Sequence, residues 1–280
     1  MKKIIIFSLI GLFFLFAGIK TLVDNPELEN SMSSAVYVSD GKIDPANEGK
    51  LVILSGRLEP DLPIYDPATK VNIPYIAARR RVQIFKHIIA TDYQYKWDTV
   101  TNLSDRLNNP EPTESDLIAD TKIGDFNIDP ELLIPLNAGR NWVDMSEEDL
   151  GDCELYVYKS KGDGIIYLSE AFSDLDRSNN TKEGTFEGRS YKEYSNKKRF
   201  SYTVCVEDPL DYTLIGVQKG DWLMKDDGVG VTNLKKGILT GEEFTANTIK
   251  SSVGIGIGTT IFGLVFLGLA GYFMVKRKRG

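Results

Sequence analysis

His87 is the only histidine in the chain. A zinc site draws on several nitrogen or sulfur ligands, and no second imidazole exists to join it. Beside Phe85 on an alternating stretch, His87 reads as a packed or interface side chain. Cys153 and Cys205 are the only two cysteines. A Cys–His nucleophile pair needs an activating arrangement around the thiol, and no motif surrounds either residue. Outside the cytosol the chemistry open to them is a disulfide, which would contribute on the order of 4 kcal/mol by closing so long a loop. Nothing in the sequence sets their strands side by side, so the Cys153–Cys205 bond is a candidate only. Arg79-Arg80-Arg81 could form an anion site, but in an acidic chain three such residues are better used in internal ion pairs. Asp174, Asp176, Ser178 and Asn180 alternate like the opening of a calcium loop. The glycine at the sixth position and the glutamate at the twelfth are absent, which leaves a solvated loop. Asn102 and Asn179 stand in glycosylation triplets, which matter only in a eukaryotic secretory pathway. No catalytic residue, metal ligand set or cofactor site follows from these positions.

The elements that must position the rest are framed by two apolar ends. Val253–Val275 carries no charge and is followed at once by Lys276, Arg277, Lys278 and Arg279. As a helix it would reach roughly 35 Å, enough to cross a bilayer core, and a lone segment in lipid satisfies its amides only as a helix. Gly254 and Gly258 form a G-x-x-x-G pair, and Thr259–Gly263 continues the spacing. Small faces of this kind let helices approach closely in lipid, as would Ser8, Gly11 and Gly18 at the other end. The expectation is that the spans pack together, within one chain or between copies.

The N-terminus runs Met1-Lys2-Lys3 and then apolar from Ile4 to Ile19. A cleavable signal peptide competes with an uncleaved anchor. Phe16-Ala17-Gly18 is a poor cleavage motif, and Lys20 can snorkel to the interface, so an anchor over residues 1–23 fits better. Basic residues flanking a span are retained in the cytoplasm. Lys2, Lys3 and the Lys276–Arg279 run therefore act as topology anchors placing both termini there. Residues 24–250 form an extracytoplasmic domain, 251–275 the second span and 276–280 a short basic tail.

The net charge of −7 is unevenly spread. All 40 acidic residues lie between Asp24 and Glu243, whereas seven of the 33 basic residues sit in or beside the apolar ends, leaving 26 cations against 40 anions between them. That balance argues against nucleic acid and against tight docking on anionic lipid. It suits a solvated domain with other proteins as partners.

Between the anchors, Asp24–Asp40 reads as a stalk or a short helix and Leu51–Leu58 as a strand. Asp61–Pro74, with Pro63, Pro67 and Pro74, reads as a loop over the domain's edge. Arg79–His87 and Tyr93–Val100 pair as a hairpin through a turn near Ile89–Asp92, the second strand carrying Tyr93, Tyr95, Trp97 and Thr99 on one face. Asn108–Asp120 reads as a loop. Asp129-Pro130 and Ser146-Glu147 each open a short helix. Glu154–Lys159 and Gly164–Ser169 form a hairpin, Ser173–Ser195 a loop, and Phe200–Val206 and Tyr212–Met224 strands, the latter folded at Lys219-Gly220-Asp221. Thr240 caps a helix that runs into the second span. The fold class is α+β: a strand-rich domain between an N-terminal and a C-terminal transmembrane helix.

Pro45-Ala46-Asn47-Glu48-Gly49-Lys50-Leu51-Val52, then Ser55-Gly56-Arg57-Leu58, Asp66-Pro67, Arg79-Arg80-Arg81-Val82-Gln83-Ile84-Phe85 and Tyr93-Gln94-Tyr95-Lys96-Trp97 resemble the LUMA (transmembrane protein 43) family. Weaker echoes fall at Ile123–Phe126, Arg199–Tyr202 and Gly220-Asp221. The resemblance implies an integral membrane protein whose large domain faces the lumen or exterior. In animal members it implies residence in the endoplasmic reticulum and inner nuclear membrane, self-association, and binding to envelope proteins such as emerin and lamins. Those members carry several spans after the domain and this chain has one, so what is assigned to the extra spans does not carry over; the Lys-rich short N-terminus and minimal tail point to a bacterial plasma-membrane relative. The family has no established chemistry to transfer.

The leading expectation is therefore a non-enzymatic membrane protein that organises membrane or envelope complexes through its exposed domain. Its partners would be the lipid bilayer, other membrane or envelope proteins, and further copies of itself. A ligand-binding envelope sensor comes second and a membrane-anchored hydrolase last.

Overall fold

The computed structural model describes residues 2–88, 94–99, 112–137, 139–160, 163–171, 185–186, 189–190, 194, 196–208, 210–226 and 234–279. A strand-rich body stands between two long apolar helices, Lys2–Ser33 and Gly241–Arg279. Strands follow in chain order as β1 (Val36–Val38), β2 (Leu51–Arg57), β3 (Glu59–Pro60), β4 (Ile64–Asp66), β5 (Val71–Ile73), β6 (Ala77–Ile88) and β7 (Gln94–Thr99). Next come β8 (Glu114–Ile118), β9 (Thr121–Ile123), β10 (Phe126–Ile128), β11 (Arg140–Asn141), β12 (Tyr156–Lys159) and β13 (Ile166–Ser169). The last are β14 (Thr185–Phe186), β15 (Arg189–Ser190), β16 (Lys198–Val204), β17 (Asp211–Lys219), β18 (Trp222–Met224) and β19 (Leu234–Lys236).

The chain forms two units, each made of separate stretches. Met1–Leu58, Ile123–Leu132 and Leu210–Gly280 make the first, and Glu59–Lys122 with Leu133–Pro209 the second.

In the first unit β17 is the central strand, antiparallel to β2, β18 and β19. β1 extends the sheet parallel to β2, and β10 runs parallel to β18. The β17–β18 hairpin turns at Gly220 (φ 60°), a left-handed conformation that glycine adopts without a Cβ penalty. Met32, Ile53, Ile215 and Phe244 form a small core in this unit, so both long helices contribute to it. The C-terminal helix begins with a capping box. Thr240 Oγ1 accepts from the Glu243 amide (3.2 Å) while the Glu243 carboxylate accepts from the Thr240 amide (2.9 Å). As the capping residue suggested, the helix then continues unbroken into the apolar segment.

The N-terminal helix extends ten residues beyond Val23 to Ser33 and carries Pro26 inside it, so of the two expectations for Asp24–Asp40, stalk or short helix, most of the segment is helix. Its last turns are held by Met32, fully buried against the sheet.

The second unit is built on a sheet ordered β12-β13-β16-β6-β7, with β8 also pairing β6 and β11 pairing β16. β6 and β7 are the hairpin expected from sequence, in the register Phe85↔Trp97. The turn itself lies outside the described residues. Two expected loops are corrected. Residues 61–74 hold the β4–β5 hairpin, because alternate residues Ile64, Asp66, Val71 and Ile73 are buried and the prolines flank the strands. Within Asn108–Asp120, residues 114–118 form β8, whose polar Glu114, Ser115 and Asp116 stand opposite Arg81, Arg80 and Arg79. Cross-strand charge, not apolar alternation, specifies that strand.

Short helices start at Pro130 and Glu147. Asp129 Oδ1 accepts from the Glu131 amide (3.0 Å), and Ser146 makes a capping box with Asp149. Ser173–Ser195 lies mostly outside the described residues, as do the Asp174–Asn180 loop and both glycosylation triplets.

Candidate functional site

Three arrangements carry the chemistry of the described residues. The first is the seam between the long helices, which pack antiparallel in the first unit. A Cβ on Gly263 would stand 2.5 Å from the Leu15 amide nitrogen, and one on Gly18 would stand 2.6 Å from that of Thr260. Gly11 meets Leu267 and Gly256 meets Leu22 just as closely. Phe7 stacks on Phe273 (5.6 Å), and Phe14 meets Phe262 edge-on (5.1 Å). Gly263, singled out from sequence, therefore lies in the seam. Gly254 and Gly258 do not: the space around each is open. The residues that mate are Gly11, Gly18, Gly256 and Gly263; Gly256, two residues from each member of the G-x-x-x-G pair, lies on the opposite face of the helix. Ile4, Ile19, Val253 and Val275 all lie within the two helices, and Lys276 is exposed at the end of the second. The side chains of Lys2, Lys3, Arg277, Lys278 and Arg279 lie outside the described residues.

The second arrangement is a buried polar network in the second unit. Ser115, Arg80 and Tyr202 sit in register across β8, β6 and β16. The β4–β5 hairpin lays Asp66 and Thr69 over them. Arg80 Nη1 donates to Asp66 Oδ1 (2.7 Å), Tyr202 Oη donates to Asp66 Oδ2 (2.6 Å), and Arg80 Nη2 donates to Ser115 Oγ (3.3 Å). The phenol proton is committed to Asp66, so the Thr69 hydroxyl donates to Tyr202 Oη (2.5 Å). The Ala68 amide adds a bond to Asp66 Oδ1 (3.0 Å). Burial, reinforced by the adjacent Asp66 carboxylate, pushes the Tyr202 phenol far above its usual range. Asp66 is 0% exposed and Tyr202 2%, so no substrate reaches these groups. The network fastens the hairpin to the sheet.

The neighbouring arginines point the other way, as strand alternation requires. Arg79 Nε donates to Asp116 Oδ1 (2.8 Å) and Arg81 Nε to Glu114 Oε1 (3.1 Å). All three arginines are thus ion-paired, the reading the sequence favoured over an anion site. Further along that face Arg199 lies over the rings of Tyr167 (3.9 Å) and Trp97 (5.0 Å), and its Nε donates to Gln83 Oε1 (2.8 Å). An aromatic clamp of this kind uses the flat guanidinium as packing. Trp97 also packs edge-on against Phe85 (5.3 Å), so this member of the aromatic ladder belongs to the core. His87 takes its place in β6 opposite Tyr95, with its side chain outside the described residues.

The third arrangement lies where the C-terminal helix leaves the first unit. A cavity of about 470 Å³ is lined by Lys235, Lys236, Leu239, Asn247, Lys250 and Ser251. On another flank of the same helix, a cavity of about 510 Å³ is more apolar and includes Met32, Tyr37, Ile53 and Ile249. Lys235 is half-buried with its ammonium 6.0 Å from the Phe244 ring, and burial lowers its pKa from the ordinary lysine value.

No disulfide joins Cys153, which is half-buried, to Cys205, which is buried. Among the described residues, no group of three or more His, Cys, Asp or Glu side chains could hold a metal ion. Sequence reasoning missed the Asp66–Arg80–Tyr202 network, since its members are 14 and 136 positions from Asp66 along the chain and no local spacing joins them. It also missed the lysine-lined cavity, whose members come from one strand, the link after it and one helix face. No protein-family model matches the chain, and neither does any curated protein or solved structure.

Proposed function

We propose that the chain is an integral membrane protein held by its two terminal helices, with its strand-rich acidic body serving as a non-enzymatic interaction scaffold for membrane or envelope proteins. One observation carries this reading. The two helices are long and apolar enough to cross a membrane, and they bury Gly11, Gly18, Gly256 and Gly263 against each other while turning large side chains outward. Phe16 is 73% exposed and Ile255 64%, whereas a core helix of a soluble protein would bury such residues. Antiparallel packing puts both chain ends on one side, and the basic residues at those ends favour the cytoplasm. The body would then face the exterior of a bacterial cell, or the lumen if the source is eukaryotic. Kinship with the LUMA family is part of the reading. Its support is the run Pro45–Trp97, within which Asp66 and Arg80 form the buried ion pair. The outward faces of Gly254 and Gly258 suit contact with a second copy.

Alkaline carbonate extraction tests the anchoring: the chain stays with the membrane pellet, and recovery in the supernatant would overturn the reading. Crosslinking in native membranes followed by mass spectrometry tests the scaffold, which requires reproducible protein adducts on residues 34–240. Their absence would leave the sensor reading, for which the cavities beside the C-terminal helix speak.

A further inference from the structure

We infer that the cavity lined by Lys235, Lys236, Asn247, Lys250 and Ser251 binds the phosphate of an anionic phospholipid, drawn from the leaflet on the body's side of the membrane. The inference rests on the membrane reading and deepens it.

Charge is the first argument. The segment between the apolar ends is strongly acidic, yet here three lysines from β19 and the C-terminal helix converge on one cavity. Asn247 completes the polar lining with an amide NH2 that can donate to phosphate oxygens, whereas the Ser251 hydroxyl already donates to the Asn247 carbonyl (2.7 Å). The nearby carboxylate on that helix, Glu243, is committed to the Thr240 cap and is held below its usual range by those hydrogen bonds.

Depth is the second. Lys250 precedes Val253 by three residues, roughly 5 Å of helix, and the headgroup zone outside a hydrocarbon core is roughly 5–7 Å deep on each side. The cavity therefore opens at phosphate level when residues 253–275 span the core. Leu239 supplies an apolar wall, which fits a glycerol ester better than a fully hydrated free ion. Lys235 is the third. Its ammonium is partly desolvated and its pKa lowered by burial, and an anion in the cavity would favour its charged form.

The test uses the full chain in a mild neutral detergent, titrated separately with phosphatidylglycerol, phosphatidylcholine and inorganic phosphate and read by native mass spectrometry. One saturable phosphatidylglycerol adduct is expected, with phosphatidylcholine binding weaker. In Lys235→Gln/Lys250→Gln the apparent Kd for phosphatidylglycerol rises about thirtyfold, since each of the two juxtamembrane cations contributes about 1 kcal/mol. Lys250→Arg keeps the adduct, and the control pair Lys42→Gln/Lys159→Gln leaves the Kd unchanged. Thermal melts of all variants in the same detergent verify folding. Equal binding of the two lipids, or an unchanged Kd in the Lys235/Lys250 variant, overturns the inference. Saturation by inorganic phosphate at lower concentration than the lipid overturns the lipid as its source. Carbonate extraction of the same variants keeps the two questions apart: a chain that stays in the pellet but shows no lipid selectivity retains its anchors and lacks the site.

Discussion

Arg79 and Arg80 are adjacent in sequence and live in different surroundings. Arg79 is part-exposed and paired with Asp116 at the surface, where such pairs contribute about 0–1 kcal/mol. Arg80 is buried against Asp66, and removing it strands a carboxylate without a counter-charge, which costs about 3–5 kcal/mol. Guanidinium unfolding of the full chain in mild detergent, followed by tryptophan fluorescence, is thus expected to show a large loss for Arg80→Met and almost none for Arg79→Met. Tyr202 offers a second test with a defined sign. Its folded pKa is raised above the ordinary 10.0 by burial beside Asp66. The hydroxyl's contribution is therefore complete below pH 10 and declines above it, as the unfolded phenol ionises while the folded one does not. Tyr202→Phe should cost about 1.5–3 kcal/mol at pH 8, the range for a bond to a charged group. The gap to wild type should then narrow by roughly 1.4 kcal/mol per pH unit above 10; a gap independent of pH would mean that the phenol is not held neutral. The ion pairing of these arginines was legible beforehand, but their separate surroundings and the Tyr202 bond were not. Arg80 was visible as one of three arginines, but which of them turns inward depends on strand parity against Phe200 and Tyr202, some 120 residues away in the register of β16.

At the scale of elements, local signals were reliable where they were local. The Ser146 and Thr240 caps, the β12–β13 and β17–β18 hairpins and the β6–β7 pair all form at the expected places, because each depends on residues a few positions apart. β8 escaped notice because its partners are arginines, and the β4–β5 hairpin because proline density was read as disorder of the strand pattern. The helix seam shows the same limit. Spacing identified small residues on the C-terminal helix, but the partner chooses the face. Gly263→Ile should destabilise the full chain by about 1–3 kcal/mol, the usual cost of overpacking, because its side chain would meet Leu15 backbone. Gly258→Ile, facing open space, should leave the thermal midpoint unchanged. If the outward glycines meet a second copy, the same Gly258→Ile change weakens self-association in a membrane two-hybrid assay. An equal melting loss in both variants would refute this division of the helix into two faces.

For the molecule as a whole, the two apolar ends were plain from composition, and the paired helices agree with them. The division of the body into two interleaved units was not, since no composition change marks residues 58, 122, 132 or 209. With both helices spanning, a reporter fused after Gly280 should be inaccessible from outside intact cells, whereas a cysteine placed at exposed Tyr65 should react with an impermeant maleimide. Labelling of the first but not the second would invert the arrangement.

The interleaving has a consequence for biogenesis. β2 has its strand partner β1 early, but its other neighbour is β17, and the register Arg57↔Asp211 separates them by about 150 residues. At ribosomal speeds of about 5–20 residues per second the nascent β2 edge stays open for some ten to thirty seconds while the whole second unit is made. Gly56 and its neighbours must therefore survive that interval without their β17 partner. A chaperone acting there would have its greatest effect before Asp211 emerges.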